Sequence, residues 1–213
     1  EPVWLAPDLV VLGYCDFGKS YLNQVLVAGT ESPGVNPLRQ HAILKDLLLL
    51  PKSVKAILYF HWGREHVSLP PIGDISLARD LLKHEQVCGI VGMHAHQIQG
   101  ILLDGKKPAY MCVGNFLFPN FYIKPRNKIY QPTVEERRSV NSVTYQYHKV
   151  FIATYKKWRR INRYSLIVAY DNDTGQWSHE YVRQLETSPV VVPVDSKSWR
   201  WLDFKLLTLN TIM

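Results

Sequence analysis

An α/β fold built on a parallel sheet is the architecture this sequence predicts, and three observations carry that prediction. Between residues 9 and 113, short apolar runs alternate with segments of helical periodicity. Strands separated by helices of roughly 10–15 residues are the mark of βαβ units. Two of the apolar runs also deliver histidines just past their carboxyl ends, and that edge of an open α/β sheet is where ligands bind.

The first strand spans Leu9–Tyr14. The turn-rich stretch Gly29-Thr30-Glu31-Ser32-Pro33-Gly34-Val35-Asn36-Pro37 reads as a loop. Leu38–Leu50 follows with apolar residues at 43, 44, 47, 48 and 50, a helical spacing, with Pro37 at its start and Pro51 just past its end. Val54–Phe60 is the next strand and runs into His61-Trp62-Gly63-Arg64-Glu65-His66. After the loop Pro70-Pro71-Ile72-Gly73, Asp74 is placed as the N-cap of a helix reaching about His84, with Leu77, Ala78, Leu81 and Leu82 as its apolar stripe. Val87–Val91 is a strand that leads into Gly92-Met93-His94-Ala95-His96, and short strands are expected at Ile101–Leu103 and Ala109–Val113.

The second half reads as β-rich. Ser142–Tyr147, Tyr164–Tyr170 and Trp177–Arg183 are β segments, and Asp171-Asn172-Asp173-Thr174-Gly175 turns the last two into a hairpin. Trp199–Leu207 is expected to be a terminal helix. The stretch from Pro119 to Pro132 is the best candidate for an internal boundary.

Composition narrows the function classes. With 213 residues, 46% apolar and 20% charged, the chain can bury a substantial core and lacks the signature of disorder. No apolar run approaches the roughly 20 residues that span a bilayer. The start at Glu1-Pro2-Val3-Trp4, without an initiator Met or a basic leader, is read as the beginning of a piece of a longer protein. The net charge of +7 favours polyanionic partners. Much of it comes from Lys156-Lys157-Trp158-Arg159-Arg160 and Arg163, but no nucleic-acid motif accompanies that cluster and no nucleic-acid partner is expected. Cys15, Cys88 and Cys112 are widely spaced and form neither a CxxC pair nor a disulfide framework.

The histidines define the site. On an extended or tightly turned segment, side chains at i and i+2 share a face, so His94 and His96 can hold one metal together or two adjacent metals. His61 leaves the neighbouring strand and can converge on them. Neutral imidazole suits zinc, iron, manganese or nickel. Glu65 and His66 follow closely enough to be further ligands or to orient a ligand. Three imidazoles leave a divalent ion uncompensated, and Asp74, Asp104, Asp8 and Asp16 are the other carboxylates in view.

In order and interval, five segments resemble the CapA family of poly-γ-glutamate capsule biosynthesis proteins, within the calcineurin-like metallophosphoesterase superfamily. They are His61-Trp62-Gly63-Arg64-Glu65, Pro70, Leu77-Ala78, Gly92-Met93-His94-Ala95-His96 and Tyr110-Met111-Cys112-Val113-Gly114-Asn115-Phe116. The resemblance is strongest over residues 54–118 and weaker over 8–53 and 139–195. It implies a single domain over 1–213 whose amino-terminal part is missing, with 119–213 as its β-rich remainder. The implied fold is a partial four-layer α/β/β/α sandwich.

The resemblance further implies two divalent metal ions, of manganese, iron or zinc, with His61 and His94 on one and His96 on the other. Glu65, Gly92 and Asn115 would shape the pocket. The implied function is poly-γ-glutamate capsule synthesis or metal-dependent hydrolysis, on an acidic polymer or a phosphoester. The alternative is a scaffold or binding module that keeps part of the metal site without turnover. Family members are often anchored on the outer face of a bacterial membrane, so a cell-surface location and any membrane association would depend on an upstream segment. The superfamily's amino-terminal Asp and Asn-His motifs have no counterpart here, and the chain alone is expected to be inactive.

Overall fold

The computed structural model describes residues 2–17, 26–29, 32–117, 121–123, 154–156, 160–186, 188 and 190–213. Its centre is a six-stranded sheet in the order β1-β2-β3-β4-β6-β5. The strands are β1 (Val3–Ala6), β2 (Leu9–Cys15), β3 (Lys55–His61), β4 (Val87–Met93), β5 (Ile101–Asp104) and β6 (Lys107–Tyr110). The β2-β3-β4-β6 core is parallel, while β1 and β5 pair antiparallel at the two edges. The expected mixed α/β class is what the chain forms. Helices α1 (Gln40–Leu49) and α2 (Ile72–Leu82) make the two crossovers, β2 to β3 and β3 to β4.

Residue alternation explains why the sheet is buried on both faces. Val10, Leu12 and Tyr14 of β2 and Ala56, Leu58 and Phe60 of β3 join Ile43 and Leu47 of α1 and Ala78, Leu81 and Leu82 of α2 in one core. Leu9, Ile57, Cys88 and Val91 form a second cluster, against which Val168, Tyr170 and Trp177 pack. These last three belong to a three-stranded antiparallel sheet of β9 (Tyr164–Asp171), β10 (Gln176–Gln184) and β11 (Val191–Pro193). The expected hairpin is present. The Asp171 carboxylate accepts the backbone N–H groups of Asp173 and Thr174 at 2.9 Å each, and Gly175 supplies the left-handed residue at φ 68°. The terminal helix α3 (Ser196–Ile212) is longer than expected and is capped by Asp195, which accepts the Ser198 N–H. It buries Leu202, Leu206 and Leu209 along one stripe.

Several boundaries differ from the sequence reading, each for a local reason. Helix α1 starts two residues late because the chain is still extended at its N-cap Arg39 (φ −136°, ψ 124°), with Leu38 N–H bonded to Cys15 O at 2.8 Å in line with the Cys15–Pro37 bridge. Asp74 is not the N-cap. Pro71 occupies that place, its carbonyl accepting from the Asp74 and Ile75 N–H groups, and Asp74 falls in the first turn. Strand β6 begins at Lys107 and leaves the ladder after Tyr110 rather than running to Val113, whose N–H instead reaches Gly92 O at 3.0 Å. β1, β11 and the 3-10 turn Arg160–Arg163 carried no periodicity that announced them. The β segment expected at 142–147 lies outside the described residues, as does most of 119–132; within that stretch β7 (Phe121–Ile123) pairs antiparallel with β8 (Thr154–Lys156). From the basic cluster, Arg160 is exposed, while Arg163 is buried and donates to Leu185 O.

A candidate metal site at the sheet edge

Register places the site. Cys15, His61 and Met93 are successive Cα partners across β2, β3 and β4, so the three parallel strands end side by side. His94 follows immediately, and its ring centroid lies 4.3 Å from that of His61. His96 lies 6.2 Å from His94 and stacks on His66 at 5.3 Å. The three site histidines predicted from sequence, His61, His94 and His96, are thus brought together, with His66 beside them.

The backbone is bent to present these rings. Among the described residues, the non-glycine residues with positive φ are His66 at 60°, His94 at 105° and His96 at 58°. Each such residue costs on the order of 1–3 kcal/mol and persists only where its surroundings enforce it. Here the enforcement is a set of backbone bonds: Trp62 N–H to Met93 O at 3.3 Å and His66 N–H to Ala95 O at 2.9 Å strap the two histidine turns together. Below them Trp62 is buried and its indole N–H donates to Met111 O at 2.8 Å.

Asn115 fixes the state of His96. Its amide Nδ2 donates to the carbonyls of His96 and Asn162, at 3.4 and 3.2 Å, which turns Oδ1 toward His96 Nδ1 at 2.7 Å. With that oxygen as acceptor, His96 Nδ1 is the donor of the pair. Asn162 adds a second tie, donating from Nδ2 to His96 O at 2.7 Å. Burial, and next to it His94, push the His61 imidazole below its ordinary pKa and keep it neutral. Neutral imidazole, with its ring oriented by a hydrogen-bond partner, is the form in which histidine binds metal. That donor chemistry fits a divalent cation, although among the described residues no three His, Cys, Asp or Glu side chains stand as a finished cage.

The remaining sequence candidates separate by position. Glu65 is exposed in the turn after β3, where its charge favours the protonated form of His61. Gly92 lies behind the rings, where a Cβ would collide with Met111 O and the Trp62 indole. Asp8 precedes β2, and Asp104 pairs in register with Lys107 at the start of β6, so both occupy the opposite edge of the sheet. Asp16 is on the histidine edge, its N–H bound to His61 O at 2.8 Å and its carboxylate 3.7 Å from Arg39. Two residues were missed. Cys15 belongs to β2 rather than to the loop after it, and its Sγ is 3.4 Å from His61 Nδ1. Extending the first apolar run by one residue would have found it. Asn162 had no signal, because it arrives from a distant segment. A cavity of about 600 Å³ lies elsewhere, between β5, β6, β10 and α3, and none of the sheet-edge histidines lines it.

Asp74 gives this edge a pH dependence. Its Oδ2 is buried without a hydrogen-bond partner, near Gly63. Burial, with Asp16 adding repulsion, pushes the carboxyl from 3.8 up to about 6. The folded chain holds this proton through that window and the unfolded chain does not, so stability falls as pH rises from about 4 to 6. Asp74→Asn is expected to remove that slope. It should raise stability at neutral pH by about 1 kcal/mol, the value left after discounting for a side chain only half shielded from solvent. Urea denaturation of both proteins on either side of the window checks it.

The fold and site together define the class: an α/β protein with strained, oriented imidazoles at the carboxyl edge of parallel strands. Within that class, the family of bacterial capsule synthesis proteins, PGA_cap, matches residues 9–120, and the chain belongs to it. No individual curated protein matches the chain significantly.

Proposed function

We propose that this capsule synthesis protein works as a metallophosphoesterase-type protein, with His61, His94 and His96 holding divalent metal toward an acidic polymer or phosphoester. The observation that carries the reading is the strain: the left-handed non-glycine residues among those described are all imidazoles of this one edge. The packing of a helical layer on one sheet face and a second sheet on the other supports a partial α/β/β/α sandwich over the chain. In this reading His61 and His94 share one cation and His96 faces a second. Asn115 orients the His96 ring through its Nδ1, and Nε2 is the nitrogen this reading assigns to the cation. Trp62 and Gly92 form the rigid floor, and Glu65 tempers the charge at the rim. Bound metal supplies Lewis acidity and an activated water. The basic balance of the chain would draw a polyanion toward the edge.

Metal titration of the purified chain by calorimetry tests this. Manganese, iron(II) or zinc is expected to bind the wild type and to be lost in His61→Ala and His94→Ala. Asn115→Ala should weaken binding by about tenfold or more, since it removes the group orienting His96. Equal metal affinity in the wild type and His94→Ala would refute the reading.

A further inference from the structure

Away from the histidines, the cavity of about 600 Å³ between β5, β6, β10 and α3 has the build of a ligand site. Its volume falls within the roughly 300–1,000 Å³ of small-ligand sites. The interior is apolar and aromatic, where Ile101, Leu206, Tyr110 and Trp177 meet. These four belong to one packed cluster, so the walls are fixed by the fold. Two charged residues line the cavity, Lys106 in the β5–β6 turn and Asp203 on α3, and they are of opposite sign. Among the described residues no ion pair joins them or engages either one. Asp203 is held by Tyr181, whose hydroxyl donates to Oδ1 at 2.9 Å and leaves Oδ2 for another donor. His179 lines the same space, and burial holds its imidazole below the ordinary pKa, so it adds no second cation at neutral pH. Asn210 accepts the Ile101 N–H through Oδ1, which leaves its amide N–H groups to donate.

We propose that this cavity binds a short zwitterionic peptide with apolar side chains, its amino terminus at Asp203 and its carboxylate at Lys106. The apolar side chains gain by leaving water for the cavity walls. Lys106 and Asp203 are both exposed, so the peptide's two charges stay at the rim and avoid the full cost of desolvation. A purely anionic ligand would meet Asp203, and a purely cationic one would meet Lys106. One charge of each sign satisfies both. The Asn210 amide supplies a donor for the peptide carbonyl. None of the sheet-edge histidines lines the cavity, so peptide binding stands independently of metal.

Calorimetric titration of the whole chain with leucyl-phenylalanine tests this. Saturable binding is expected, with a Kd of about 1 mM or tighter. N-acetyl-leucyl-phenylalanine lacks the ammonium, and leucyl-phenylalanine amide lacks the carboxylate. Each should bind about three- to fivefold more weakly, the scale of one exposed ion pair. The two losses should map to different residues. Asp203→Asn, which keeps an acceptor for Tyr181, should bind the free and acetylated peptides equally and still discriminate against the amide. Lys106→Ala should show the reverse pattern. Both variants change exposed side chains, and far-ultraviolet circular dichroism checks that they are folded. No saturable binding to the wild type would overturn the proposal, as would equal affinity for all three peptides. An acetylation penalty that survives Asp203→Asn, or an amide penalty that survives Lys106→Ala, would overturn it equally.

Discussion

Gly92→Ala is expected to unfold or severely destabilise the chain, by about 3 kcal/mol or more, although it adds one methyl group. A Cβ at position 92 has no room: it would collide with Met111 O and with Trp62 Nε1, partners in a 2.8 Å hydrogen bond. Both obstacles are fixed. Met111 O is backbone, its residue tied by its own N–H to Gly100 O at 3.1 Å, and Trp62 is buried against Phe60 with ring centroids 4.9 Å apart. Relief requires β4 and the segment after β6 to move apart, which also breaks the Val113 N–H bond to Gly92 O. Overpacking alone costs about 1–3 kcal/mol, and a buried carbonyl left without its donor costs a comparable amount. Thermal denaturation followed by circular dichroism measures the loss. A drop in stability below about 1 kcal/mol would mean that the floor of the site is softer than its packing indicates.

That residue also shows how far the sequence could be read. Gly92 was legible as a pocket residue through the family resemblance, but its collision partners come from Trp62 and Met111, which only the fold brings together. The parallel strands β2, β3 and β4 were legible because strands buried on both faces are nearly continuous apolar runs. The meeting of His61 with His94 followed from their common place at strand ends. What was not legible depended on register. Cys15 becomes a neighbour of His61 only once β2 and β3 are aligned residue by residue. Asp104 looked close in sequence and lies at the wrong edge, because β5 runs antiparallel to β6. Edge strand β1 exposes Val3, Trp4 and Leu5, and so lacks the alternation that marks a half-buried strand.

Trp177→Ala is expected to cost about 2–3 kcal/mol, less than the loss of a fully buried aromatic because Trp177 is partly buried. Trp177 lies in β10 and reaches across to the six-stranded sheet, where its indole N–H donates to Cys88 O at 2.9 Å. Its ring presses on Gly89, where a Cβ would approach Trp177 Cζ2 to 2.5 Å, so Gly89 is the notch that admits it. Tyr110 and Tyr170 flank it at centroid distances of 5.9 and 5.0 Å. Removing the ring therefore opens a cavity between the sheets and strands a carbonyl. Trp177→Phe keeps part of the volume but not the donor, and should recover only part of the loss. The two sheets also meet at Leu166 N–H to Val113 O, 2.8 Å, one residue from Gly114 and close to Asn115. Loosening the Trp177 anchor should then relax the Asn115 clamp on His96, and metal affinity should fall with stability although position 177 touches no ligand. Calorimetric metal titration beside urea denaturation separates the outcomes. Lost stability with unchanged metal affinity would show that the histidine edge is held by the six-stranded sheet alone.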